Sequence, residues 1–293
     1  HDFGPSLGVK PLVKCQVGCQ VGIAMGKKMK NAPVYFAVAQ VRFNTVLEMD
    51  QYVPRIQETL RKAGYPDFRK NFVATLNFNF GGKMVPDQPV NAVTQPQAQY
   101  MFFNETKDSG FILENSAMSF QTSNYQTFEV FLSALMVGIR TVHINAELQS
   151  FERLGVRYLD AILPRPNEDV SAYLTQNVLG LYGQFNDRKL VHAISETRSQ
   201  CSENELMSRA IIIRQDQVGD VAFPADMGGQ AVKLMEKFQN VSGVYGLMDT
   251  DSAHTSSGPF DLGQIEKRFV SLHSMIWQSF ALMVTPHALS VWE

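Results

Sequence analysis

Asp249, Asp251 and His254 spell D-x-D-x-x-H in the stretch "GVYGLMDTDSAH". Two carboxylates two residues apart on a strand point to one face, and with an imidazole they could hold a divalent ion. The competing reading is structural, because Asp is favoured at strand ends and in the turns that follow them. A second constellation is cationic. Arg153 and Arg157 stand four apart in "FERLGVRYLD", hence on one strand face, and Arg42 in "VRF" is the counterpart of Arg157. Guanidinium groups so placed could grip phosphate or carboxylate through paired hydrogen bonds. Ordinary cross-strand pairing with Glu152, Asp160 or Glu196 is the stronger expectation, since half-buried arginines are usually paired.

Other candidates are singletons. His273 lies near Glu266 and Arg268, four residues before Trp277, and reads as a helix-packing histidine that could also contribute to a ligand site. His192 and Glu196 share a strand face as a general-base pair, with no nucleophile tied to them. Cys201 in "RSQCSENE" reads as a lone thiol in a polar loop. No glycine-rich phosphate loop, G-x-S-x-G elbow or H-E-x-x-H motif occurs.

The elements that must position these residues follow from hydrophobic period. "VYFAVAQVRF" (34–43) reads as a strand, and Met49, Val53, Ile56 and Leu60 form one face of a helix that stops at Gly64. Residues 71–80 alternate as a strand with Phe72, Ala74, Leu76, Phe78 and Phe80 on one side, before a loop over 81–97. Strands over 98–106 and 111–121 are joined by the turn "KDSG", and a helix over 126–142 turns Phe128, Phe131, Leu132, Leu135 and Ile139 inward. The order then restarts: a strand at 151–163, a helix at 169–182, strands at 188–199, 206–216 and 243–251, and a long helix at 261–284 capped by Asp261. Val41-Arg42-Phe43 returns as Val156-Arg157-Tyr158, and Arg69-Lys70 as Arg188-Lys189, at offsets of 115 and 119 residues. The predicted fold is α+β, two tandem β-α-β-β-β-α halves (31–147 and 148–293) with antiparallel sheets and a long C-terminal helix. That element order resembles the helix-grip plan, and two copies in tandem resemble the arrangement of TATA-box-binding proteins. Element order transfers no function.

At 293 residues and 45% apolar content the chain can fill a large core, and a net charge of −2 gives no global attraction to nucleic acid or anionic membranes. No run of eighteen apolar residues occurs. Three cysteines and no signal peptide point to the cytoplasm. Residues 1–30 differ from the rest: they carry five lysines and one acidic residue, without apolar period, and read as a disordered or non-native extension. Within them Cys-Gln-Val-Gly is doubled at 15–22, upstream of a start at Met25 or Met29. Cys15 and Cys19 lack companions for a zinc site.

Three stretches, "RLGVRYLDAI", "GVYGLMDTDS" and "LHSMIWQSFALMVTPHALSVWE", together with "NAPVYFAVAQVRF", resemble a sporadically distributed bacterial protein family of unknown function. Its motifs are an R-x-G-[LV]-R-Y strand, a late L-D-x-D strand and a closing L-H helix. The likeness covers 31–293 and departs at Met248 and Thr250, where the family prefers Leu and an apolar residue. It implies domain extent and a link to mobile or defence genes, but no activity. The expected function is therefore a binding protein without catalysis, with a protein or small-molecule ligand and no cofactor. A metal-dependent hydrolase or nuclease at Asp249, Asp251 and His254 is the first alternative. Nucleic-acid binding through Arg42, Arg153, Arg157 and flanking aromatics is the second. No membrane partner is expected.

Overall fold

A computed structural model describes residues 29–76, 94–185, 187–227 and 232–293. The doubled Cys-Gln-Val-Gly and the proposed start at Met25 lie outside the described residues, as does the strand expectation at 77–80. The first part of the chain forms β1 (Val34–Phe43), a 3-10 turn at Met49–Gln51, α1 (Val53–Lys62), β2 (Asp67–Leu76), β3 (Thr94–Phe103), β4 (Ser109–Glu114), β5 (Ala117–Thr122) and α2 (Phe128–Ala146). The second forms β6 (Ser150–Ile162), α3 (Gln176–Leu179), β7 (His192–Cys201), β8 (Asn204–Gly219), β9 (Val241–His254), β10 (Gly258–Pro259), α4 (Leu262–Met283) and α5 (Pro286–Trp292).

All the strands belong to one antiparallel sheet in the order β2-β3-β4-β5-β1-β6-β9-β8-β7, with β10 beside β6. The antiparallel β1–β6 pair is central, and Gln40 faces Gly155 across it. Reading outward from that pair, each side meets its last long strand first and its earliest strand at the edge.

The helices cover one face. Ala37, Ala39, Val41 and Phe43 alternate toward them and are buried, as period 2 requires. Met49, Val53, Ile56 and Leu60 of the α1 region are buried as a stripe. Thr127 caps α2 by accepting from the Val130 N–H, and Asp261 caps α4 by accepting from the Gln264 N–H. Ile265, Phe269 and Leu272 of α4 join Phe128, Phe131 and Leu135 of α2 in one core with β1 and β6. Each such side chain contributes about 1.5–3 kcal/mol on burial. Helix α2 is long and apolar enough to cross a bilayer by length and composition, but half of it is buried in this core. On the opposite face, the β8–β9 connection lays Val221, Leu234 and Phe238 over Phe36, Leu159 and Leu247. The rest of that face bears the polar side chains of β1, β6, β9 and β8.

Several expectations are corrected. The stretch 111–121 is two strands, because the chain turns at Asn115–Ser116 between β4 and β5. The first half therefore carries four strands after α1 rather than three, and the two sheets expected are one. The helix expected at 169–182 is a 3-10 turn (Val170–Ala172) followed by the single-turn α3. Phe72, on the apolar side of the alternation, sits in edge strand β2 and is 66% exposed. The Arg-Lys echo falls inside β2 at Arg69-Lys70 but before β7 at Arg188-Lys189, whereas the Val-Arg-aromatic echo occupies the two central strands. Cys201 is disulfide-bonded and ends β7, so it is no lone thiol. The cysteine count then no longer argues for a reducing compartment. Met29 packs against the cluster around α5, and the Asn31 N–H donates to the Trp292 carbonyl at 3.0 Å.

Candidate functional site

Alternation along β9 puts Asp249 and Asp251 on the open face with Arg153 and Arg157 of β6, while His254, at odd separation from both, faces the helices. The D-x-D-x-x-H set is thus split by the sheet. Asp249 is fully buried, and its two oxygens accept from Arg157 Nε at 2.7 Å and Nη2 at 2.8 Å. Arg209, directly opposite Asp249 on β8, donates to the same carboxylate through Nε at 3.1 Å and through Nη2. Every hydrogen bond to this carboxylate comes from a guanidinium, and two positive charges at its oxygens oppose a metal cation there. Among the described residues no group of three or more His, Cys, Asp or Glu is placed to hold one.

Outside this buried pair sits Asp226, from the β8–β9 connection. One oxygen accepts from Arg157 Nη1 at 2.9 Å and the other from Arg209 Nη2 at 3.2 Å, so the carboxylate bridges the two arginines. Hydrogen bonding from Arg157 holds its carboxyl down at about 2. Arg209 also faces Glu196 at 3.6 Å, and Glu196 accepts from Arg198 at 2.8 Å, so both ion-pair neighbours of Glu196 are arginines. Arg157 thus follows the pairing expectation with partners other than those predicted. Asp251, directly opposite Arg157, is half-buried; burial raises its carboxyl despite Arg153 and Arg157 nearby.

Arg42 and Arg153 behave differently. They are direct cross-strand neighbours in the central pair, and neither makes an ion pair or hydrogen bond with a described residue. Like charges opposite each other on a sheet repel. Gly155 makes room for the Arg153 side chain, since a Cβ there would lie 2.8 Å from Nη1. Gln40, on the same face, donates to Ser119 Oγ at 3.1 Å. The aromatic residues next to these arginines, Phe43, Phe151 and Tyr158, are buried in the helix-side core.

His273 is on the other side of the sheet. Its ring stacks on Phe128 with centroids 3.8 Å apart and planes at 5°, 5.8 Å from Tyr158. Burial pushes its pKa down to about 4, against a smaller opposing effect of Glu129. It is separated from Arg42, Arg153 and Arg157 by the sheet itself. His254 Nδ1 contacts Asn204 Oδ1 at 2.9 Å and Arg268 Nη1 at 3.2 Å, and burial lowers its pKa.

Arg209 and Asp226 are the residues sequence reasoning missed. An arginine at the head of the apolar run "RAIII" was the one signal for Arg209; Asp226 stands in a connection without period and offered none. No model of a known family matches the chain, and no curated protein matches it. The stretches 153–162, 243–252 and 272–293 touch one another through the Arg157–Asp249 pair and the Tyr158–His273 contact.

Proposed function

We propose that this protein is a non-enzymatic binding protein that takes an anionic small molecule on the open face of its sheet, at Arg42 and Arg153. The observation that carries this reading is a pair of arginines at directly opposed strand positions with no carboxylate hydrogen-bonded to either. Such a pair is destabilising until an anion lies between the two charges, and a phosphate or carboxylate accepts from both in fork geometry. The central strand pair also holds the two arginine backbones in fixed register, which lowers the ordering cost of binding. Stacked nucleobases are a poorer fit, because the neighbouring aromatics point away into the core.

The same reading takes the two halves as copies of one helix-grip-like unit. An offset of 115 residues makes Arg42 and Arg157 equivalent and puts a pseudo-dyad at the Gln40–Gly155 pair, and the mirrored strand order supports it. One arginine of the equivalent pair is then neutralised and the other is left for ligand. Calorimetric titration of inorganic phosphate into the full chain tests this. Replacing Arg42 and Arg153 together by Ala should weaken binding about tenfold or more, since charge-assisted hydrogen bonds are lost. Unchanged affinity in a folded double variant would overturn the site.

A further inference from the structure

The four charges of the Arg157–Arg209–Asp249–Asp226 cluster are not equivalent. Asp249 is fully buried and bound by both arginines, so it belongs to the fold: removing one member of a buried ion pair leaves a stranded charge. Asp226 is 54% exposed, comes from a three-residue 3-10 turn in a connection, and touches the arginines only from outside. Water reaches Asp226 and not Asp249, so Asp226 is the one carboxylate of the cluster that a competing ligand can displace without stranding a buried charge. With Asp226 lifted away, the outward N–H donors of both guanidiniums would lose their bridging carboxylate, while Asp249 stays bound beneath and Glu196 and Asp251 stand only at the flanks.

We propose that Arg157 and Arg209 form a second anion subsite, whose occupant in the free protein is the carboxylate of Asp226 and whose ligand is a phosphate or carboxylate group. The two outward N–H donors, Arg157 Nη1 and Arg209 Nη2, already hold two oxygens of one oxyanion at 2.9 and 3.2 Å. An external oxyanion reproduces that arrangement atom for atom, so Asp226 acts as a tethered competitor. The other charged groups that face the subsite are Asp251, opposite Arg157, and Glu196, 3.6 Å from Arg209. They favour a ligand that brings one compact anionic group over one with several.

The inference extends the reading of the open face as an anion-binding surface, and its test is separable from that reading. Inorganic phosphate is titrated into the full chain carrying Arg42→Ala and Arg153→Ala, which removes the first site from the measurement. Adding Asp226→Asn in that background should tighten phosphate binding about tenfold, as one competing charge is lost. Adding Arg209→Gln should abolish the gain while Arg157 still pairs with Asp249. Asp226→Ser serves as a second variant should the Asn form fold poorly. Equal affinity with and without Asp226 in variants of unchanged circular dichroism overturns the subsite, as does a gain indifferent to Arg209→Gln. Failure of the Arg42 and Arg153 site appears separately, as wild-type affinity in the starting double variant.

Discussion

Asp160 shows how a single residue's environment outweighs its type. It alternates toward the helices between Tyr158 and Ile162, is 4% exposed, and accepts no hydrogen bond from a described residue. Burial, reinforced by the negative charge of Asp249, pushes its carboxyl up to about 7. Its folded pKa is raised above the unfolded value, so its stabilising effect is complete below about pH 4 and is lost as pH rises through 7. Asp160→Asn should therefore stabilise the protein at pH 8 by on the order of 2–4 kcal/mol, and the gain should fade below about pH 4. Thermal melts across pH check this; a pH-independent difference would contradict it. His273 acts in the opposite direction. With its pKa lowered to about 4, it favours the fold above its unfolded value and ceases to as pH falls through 4. At this scale the sequence named most of the charged groups of the open face but not their partners. Asp251 and His254 are three apart on one strand, and that odd spacing alone sends them to opposite faces. The metal expectation for that pair therefore already conflicted with strand geometry.

Elements were legible where period and caps agreed. The bounds of β1 and α4 and the Asp261 cap follow from the sequence, because alternation and i, i+3, i+4 spacing are imposed by the backbone itself. The split of 111–121 was not legible. "FILENSAMSFQT" alternates on either side of Asn-Ser, and a two-residue turn hardly interrupts the pattern. Packing between elements sets tighter limits than period. A Cβ on Gly138 of α2 would lie 2.4 and 2.6 Å from the Phe111 ring of β4. Replacing a mid-helix Gly by Ala normally gains about 1 kcal/mol of helix propensity. Here overpacking against a rigid ring costs about 1–3 kcal/mol and wins. Gly138→Ala should lower the denaturation midpoint in urea, and a rise would show that α2 shifts freely on the sheet.

The described residues form one sheet, with a helix-side core shared by α2 and α4 and a second cluster around α5, although the sequence reads as two halves. Cutting between 147 and 148 would expose the β1 edge from Val34 to Phe43 and remove Ile265, Phe269 and Leu272 from the α2 core. Neither half alone should give a cooperative melt or a monomeric peak by size exclusion, while the two halves mixed during refolding should recover both. Independent, monomeric folding of either half would refute this dependence. The chain's local chemistry determined β1, the apolar stripes of α1, α2 and α4, the Asp261 cap and the α+β class, because those depend on neighbours within a few residues. The joining of the strands into one sheet, the pairing of Arg157 and Arg209 with Asp249 and Asp226, and the unpaired state of Arg42 and Arg153 were decided by the fold. Those contacts join residues 17 to 111 positions apart, and no local pattern encodes which distant charge will arrive.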